Sequence, residues 1–131
     1  MNQKVKVLLI DDDPVVLFLH KTLLKKAGII TNVHTLNNGR DAIEFMDSCE
    51  PETAYYALLD INMPVMNGWE FLEALQGRPY SEQTSILLVS SAAEGRVVMP
   101  AVAYRQVIGY LSKPLTMENC DRIVTDLAEK A

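Results

Sequence analysis

The sequence predicts an α/β protein whose mostly parallel sheet is covered by helices on both faces. Short β-branched apolar runs alternate with helix-period segments along the whole chain. The runs are apolar at nearly every position instead of every second one, the pattern of strands buried on two sides. With 131 residues the chain is long enough to bury one core and not two, and no linker, repeat or low-complexity tract divides it. The whole of 1–131 is therefore expected to form a single domain.

The first strand is Val5 to Ile10. Pro14 fits the first position of the helix that follows, with Asp13 as its N-cap. Val15, Phe18, Leu19 and Leu23 recur there at helical spacing until Gly28 ends the helix. Thr31 to Leu36 fits a second strand. The next helix runs from about Gly39 to Ser48, with Ile43 and Met46 inward and Asp41, Glu44 and Asp47 outward. Tyr56 to Leu59 reads as the third strand, ending at Asp60. Asn67 and Glu70 have capping-box spacing and open a helix through Leu75. Ser85 to Val89 and Val107 to Leu111 complete the strands. Thr116 caps a last helix with Met117, Cys120, Ile123 and Leu127 inward. Between the fourth and fifth strands, Pro100 sits where a helix is expected, so that helix either begins near it or is kinked.

Composition excludes several classes of function. A net charge of −5 and the absence of a Lys/Arg cluster argue against nucleic-acid binding by this chain. Lys21, Lys25 and Lys26 read as a solvated helix face. Cys49 and Cys120 lack CxxC or Cys/His context and read as free thiols in a reducing compartment. The apolar run after Lys4 is cut short by Asp11, too soon for a signal peptide or membrane span. The expected location is the cytoplasm.

The chemistry lies at the carboxyl ends of the strands, where open α/β sheets bind ligands. The first strand ends in Asp11-Asp12-Asp13, the third in Asp60, the fourth in Ser90-Ser91 and the fifth in Lys113-Pro114. Two unit charges about 4 Å apart repel by about 4 kcal/mol at an effective dielectric of about 20. One lysine cannot neutralise these acids, so a hard divalent cation with oxygen ligands is implied, Mg²⁺ (or Mn²⁺) being the natural choice. The remaining groups then suit phosphoryl transfer, with a carboxylate nucleophile, an ammonium and a hydroxyl donor. Asp60 is the best nucleophile, alone on the central strand, while Asp11 and Asp12 are better placed to hold metal.

These residues resemble the receiver domain of bacterial two-component response regulators over essentially the whole chain. The resemblance is carried by Leu8 to Pro14, Leu58 to Gly68, Leu88 to Ser91 and Tyr110 to Pro114. It implies a flavodoxin-like fold, a doubly wound sheet of five parallel strands in the order 2-1-3-4-5. By resemblance Asp60 is the phosphoacceptor, and Asp12 is a direct Mg²⁺ ligand with Asp11 acting largely through water. Asn62 gives the metal its backbone carbonyl. Ser90 supplies the hydroxyl that moves to a phosphoryl oxygen, Lys113 pairs with the phosphoryl group, and Tyr110 changes rotamer as Ser90 is drawn in. The bond from Lys113 to Pro114 is often cis in such proteins. The implied donor is a sensor histidine kinase or a histidine phosphotransfer domain. The protein would then be a switch that catalyses its own phosphorylation and dephosphorylation and turns over no separate substrate. Asn67-Gly68 stands where the family more often has Asp-Gly, and Ala92 offers no polar group to an attacking water.

Two other functions compete. A hydrolase with an aspartyl nucleophile, as in the haloacid-dehalogenase-like phosphatases, would favour Asp-x-Asp, and here the run is Asp60-Ile61-Asn62. An unphosphorylated binding module of the same fold would be signalled by a missing acid or lysine, and none is missing. His20 and His34 lack partners at metal-ligand spacing and read as ordinary surface or strand residues, and Trp69 as packing beside the third helix. Val97 to Tyr104 carries no charge, so it is either an exposed apolar patch that meets a partner or a second copy when Asp60 is phosphorylated, or an irregular and mostly buried segment. A stand-alone receiver is the simpler expectation for the chain.

Overall fold

The structure, a computed structural model, describes residues 5–30, 32–61, 63, 65–90 and 104–130. The described elements are β1 (Val5–Ile10), α1 (Pro14–Lys26), β2 (Val33–Leu36), α2 (Gly39–Ser48), β3 (Ala54–Asp60), α3 (Gly68–Leu75), a short 3-10 turn (Ser81–Gln83), β4 (Thr84–Ser90), β5 (Val107–Ser112) and α4 (Met117–Lys130). The helix expected around Pro100 lies outside the described residues, as does the Val97 to Tyr104 segment apart from Tyr104 itself.

All the strand pairs are parallel, and the order is β2-β1-β3-β4-β5, as the resemblance implied. Side-chain alternation along the strands divides the core between the two faces. Leu8 and Ile10 of β1 join Ala57 and Leu59 of β3 under α2 and α3. Val7 and Leu9 join Tyr56 and Leu58 under α1 and α4. Every residue of β3 is buried, which puts the charged end of that strand, Asp60, at the top of the most enclosed part of the sheet.

The helix boundaries follow from their caps. Asp13 Oδ1 accepts from the Val15 N–H at 2.9 Å, ahead of Pro14. Asn67 and Glu70 form the reciprocal box at α3, each bond 2.9 Å. Thr116 Oγ1 accepts from the Asn119 N–H at 3.1 Å, and the Asn119 side chain returns the bond to the Thr116 N–H at 3.0 Å. Such caps satisfy backbone donors that a helix N-terminus otherwise leaves open.

The buried face of α1 differs from the one its apolar spacing marks. Val15 and Phe18 are 72% and 74% exposed and Leu19 is also exposed, whereas His20 and Leu24 are buried. The helix is apolar on every side from Val15 to Leu19, so periodicity alone does not choose the face there. His20 is thus a core residue and not a surface one. His34, on β2, packs its ring 4.8 Å from that of Phe45, and its Nε2 has no hydrogen-bond partner among the described residues. Trp69 stacks on Tyr104 at 6.5 Å between ring centres, and the Tyr104 hydroxyl donates to Glu73 at 2.6 Å.

Val65, in the loop after β3, has φ +72°. That left-handed conformation is strained for a β-branched side chain. With 70% of its surface exposed, Val65 gains little packing in exchange. Val65→Asn is expected to stabilise the fold by about 1 kcal/mol, measured as a higher urea midpoint at unchanged m-value.

Candidate functional site

The parallel sheet delivers β1, β3, β4 and β5 to one edge, and the strand-end residues meet there. Asp11 and Asp60 are 4% and 3% exposed, while Asp12 faces solvent. One carboxylate oxygen from each of the three lies within 4.8 Å of the others. The Asp11 carboxylate also accepts from the Asp13 N–H at 2.9 Å, which fixes its orientation at the β1–α1 turn.

Lys113 reaches across from the end of β5. Its Nζ is 2.9 Å from Asp11 Oδ2 and 3.3 Å from Asp60 Oδ1. Burial works against the charge of this ammonium, but the Asp11 and Asp60 carboxylates outweigh it and raise the pKa above the ordinary lysine value. Lys113 is therefore held charged between two carboxylates. Its backbone N–H donates to the Ser90 carbonyl at 2.8 Å, and the bond from Lys113 to Pro114 is cis.

Ser90 is fully buried at the end of β4, and its hydroxyl lies 2.8 Å from the Tyr110 hydroxyl of β5. These two hydroxyls form one hydrogen-bonded unit on the sheet edge next to Asp60, whose register partner in β4 is Val89. Asp11, Asp12, Asp60, Ser90, Lys113 and Tyr110 are thus gathered at the predicted end of the sheet. Asn62 lies outside the described residues.

Two residues without a site role in the sequence reading belong to this neighbourhood. Gly68 opens α3 with its N–H donating to the Ile61 carbonyl at 2.8 Å. A Cβ there would stand 2.8 Å from Ile61 Cα and 3.0 Å from the Asp60 carbonyl oxygen. Both obstacles are backbone, so Gly68→Ala must push the chain after Asp60 out of place. The expected cost is about 2 kcal/mol, read from urea unfolding.

His20 is the second. It is 3% exposed and lines the same small cavity as Asp11 and Asp60. Its Nε2 accepts from the Leu115 N–H at 3.3 Å. Burial pushes its pKa down; Asp11 opposes this and Lys113 reinforces it. The signal in the sequence was the Leu17, His20, Leu24 spacing on α1, an inward stripe that competes with the more apolar Val15, Phe18 set.

Comparison with known proteins agrees with this geometry. The family model of the response regulator receiver domain matches residues 7–125. The nitrate/nitrite response regulator protein NarL of Escherichia coli (strain K12) is 36% identical over 113 residues, covering 86% of this chain and 50% of its own length. The chain spans about half the length of that curated relative. A two-component response regulator from Cytophaga hutchinsonii superposes with a TM-score of 0.80 at 27% identity, covering 98% of this chain and 99% of that one. The Vibrio cholerae chemotaxis protein CheY4 does so with a TM-score of 0.76 at 26% identity, over 98% and 99% of the two chains. The solved structures share the flavodoxin-like fold of this sheet. The chain belongs to the response regulator receiver domain family, phosphorylated on aspartate in two-component signalling.

Proposed function

We propose that Asp60 is the phosphoacceptor of this receiver domain, loaded from a phosphohistidine on a sensor kinase or histidine phosphotransfer domain. The observation that carries this reading is Lys113 Nζ, 2.9 Å from Asp11 and 3.3 Å from Asp60, beside the gathered carboxylates of Asp11, Asp12 and Asp60. The donor set fits a hard cation, since the three gathered ligand atoms of Asp11, Asp12 and Asp60 are carboxylate oxygens. Asp11, Asp12 and Asp60 would hold Mg²⁺ (or Mn²⁺), with the Asn62 carbonyl as a further ligand. When bound, the ion offsets charge on the phosphoryl oxygens.

In the transfer, an Asp60 oxygen forms a bond to phosphorus as the bond from phosphorus to the donor imidazole nitrogen breaks, leaving an acyl phosphate. Lys113, already ionised between Asp11 and Asp60, exchanges one carboxylate for a phosphoryl oxygen. Ser90 supplies its hydroxyl to another oxygen. That hydroxyl is engaged with Tyr110 at 2.8 Å, so recruiting it releases the tyrosine ring to take a new rotamer. The altered surface around Tyr110 is the signal read by a partner or output. On this reading the chain modifies only itself, and residues 1–131 act as one receiver domain.

The test is intact-protein mass spectrometry after incubation with acetyl phosphate, with and without Mg²⁺. Addition of a single phosphoryl group that requires the metal supports the proposal. Steady release of phosphate from added phosphate esters, without a stable adduct, would instead favour a hydrolase.

A further inference from the structure

We propose that His20 is a positioning residue for Lys113, acting through the backbone of the β5–α4 loop. The inference rests on the role proposed for Lys113 above and extends it to a residue on α1.

His20 lies on the buried face of α1. It projects from α1 toward the sheet, between the half-buried Leu17 and the fully buried Leu24, and is itself 3% exposed. A polar side chain at such a place is unfavourable unless its polar atoms find partners. The Nε2 partner is the N–H of Leu115, 95 residues further along the chain and two beyond Lys113. Because this N–H donates, Nε2 is the unprotonated nitrogen and the neutral ring carries its proton on Nδ1.

Lys113 has to span a gap that depends on how this loop is set. Its Nζ must meet Asp11 at 2.9 Å and Asp60 at 3.3 Å from two different strands. The chain is held upstream by the Lys113 N–H to the Ser90 carbonyl, at 2.8 Å. Downstream, Pro114 has no N–H to offer, so the next backbone donor is that of Leu115, the one His20 receives. Leu115 is 4% exposed, and its side chain packs in the same core as Leu24 and Ile123. Lys113 is therefore pinned on one side by the sheet and on the other by α1, through His20. The same cavity touches Asp11, His20 and Asp60, so a shift of the imidazole would be felt directly beneath the acids.

Three single variants of the full chain and one double variant test this by the rate of phosphorylation with acetyl phosphate. His20→Leu puts an apolar side chain in its place and removes the acceptor; His20→Gln restores an acceptor at similar reach; Lys113→Ala provides the second background. His20→Leu is expected to slow phosphorylation about fivefold, the order of one lost hydrogen bond, and His20→Gln to return it to within about twofold of wild type. In the Lys113→Ala background His20→Leu should have no further effect. Equal slowing in both backgrounds, or no slowing where Lys113→Ala does slow the reaction, overturns the inference. A Lys113→Ala protein as fast as wild type would overturn the proposed role of Lys113, and with it this extension. The imidazole nitrogens of the wild-type protein, read by long-range proton–nitrogen NMR, give a measurement that needs no variant to fold. An unprotonated Nε2 is expected, and a proton on Nε2 would overturn the hydrogen bond on which the inference stands.

Discussion

Asp60→Asn is expected to abolish phosphoryl addition from acetyl phosphate, a loss of about a thousandfold or more, with the fold retained. The substitution is nearly isosteric, so the end of β3 and its neighbours keep their packing. It removes the anionic oxygen that would form the bond to phosphorus, and an amide nitrogen whose lone pair is delocalised does not replace it. The buried position of Asp60, 3% exposed on a strand that is buried throughout, leaves no room for another residue of β3 to substitute. Asp11 is similarly buried and is held by the Asp13 N–H and by Lys113. An adduct of undiminished yield on the variant, seen by intact mass and located by peptide mapping, would move the acceptor to Asp11 or Asp12 and overturn the assignment of roles.

The second large effect is on stability. Addition of Mg²⁺ to a hundredfold excess over its dissociation constant is expected to stabilise the native state by about 2.7 kcal/mol, which for a domain of this size is on the order of 10 °C in melting temperature. The reason is electrostatic. Three carboxylates converge within 4.8 Å, and only one ammonium, Lys113, is paired with any of them among the described residues. The unfolded chain separates Asp60 from the adjacent Asp11 and Asp12, so the metal-free fold carries a repulsion that a bound cation would offset. Asp12→Asn should be more stable than wild type without Mg²⁺ and should gain little when it is added, because one repelling charge and one ligand go together. Thermal unfolding of both proteins across a Mg²⁺ titration checks this. A wild-type midpoint indifferent to Mg²⁺ would remove the metal from the proposal.

The strands, their ends and the chemistry placed there were legible in the sequence because each depends on local signals. Doubly buried strands read as apolar runs, and the first polar residue after each run marks its end. That reasoning brought Asp11, Asp12, Asp60, Ser90 and Lys113 to one edge, where the structure also gathers them. The caps at Asp13, Asn67 and Thr116 were legible for a similar reason, since a cap is a contact between residues two or three apart. β3 proved longer than read, Ala54–Asp60, because Ala54 and Tyr55 pair with Val5 and Lys6 across the sheet and extend a strand whose own sequence fades there.

The order of residues alone was enough to specify the kind of fold and the identity of the groups at its carboxyl edge. Tertiary structure decided which groups touch. The Lys113 ammonium lies between Asp11 and Asp60, Ser90 is engaged with Tyr110, and Gly68 packs against the backbone after Asp60. It also decided that α1 turns His20 inward and leaves Phe18 in solvent. These are contacts between residues far apart in the chain, set by how helices rest on the twisted sheet. A helix whose first turns are apolar on every side carries little local signal of which side the sheet will cover.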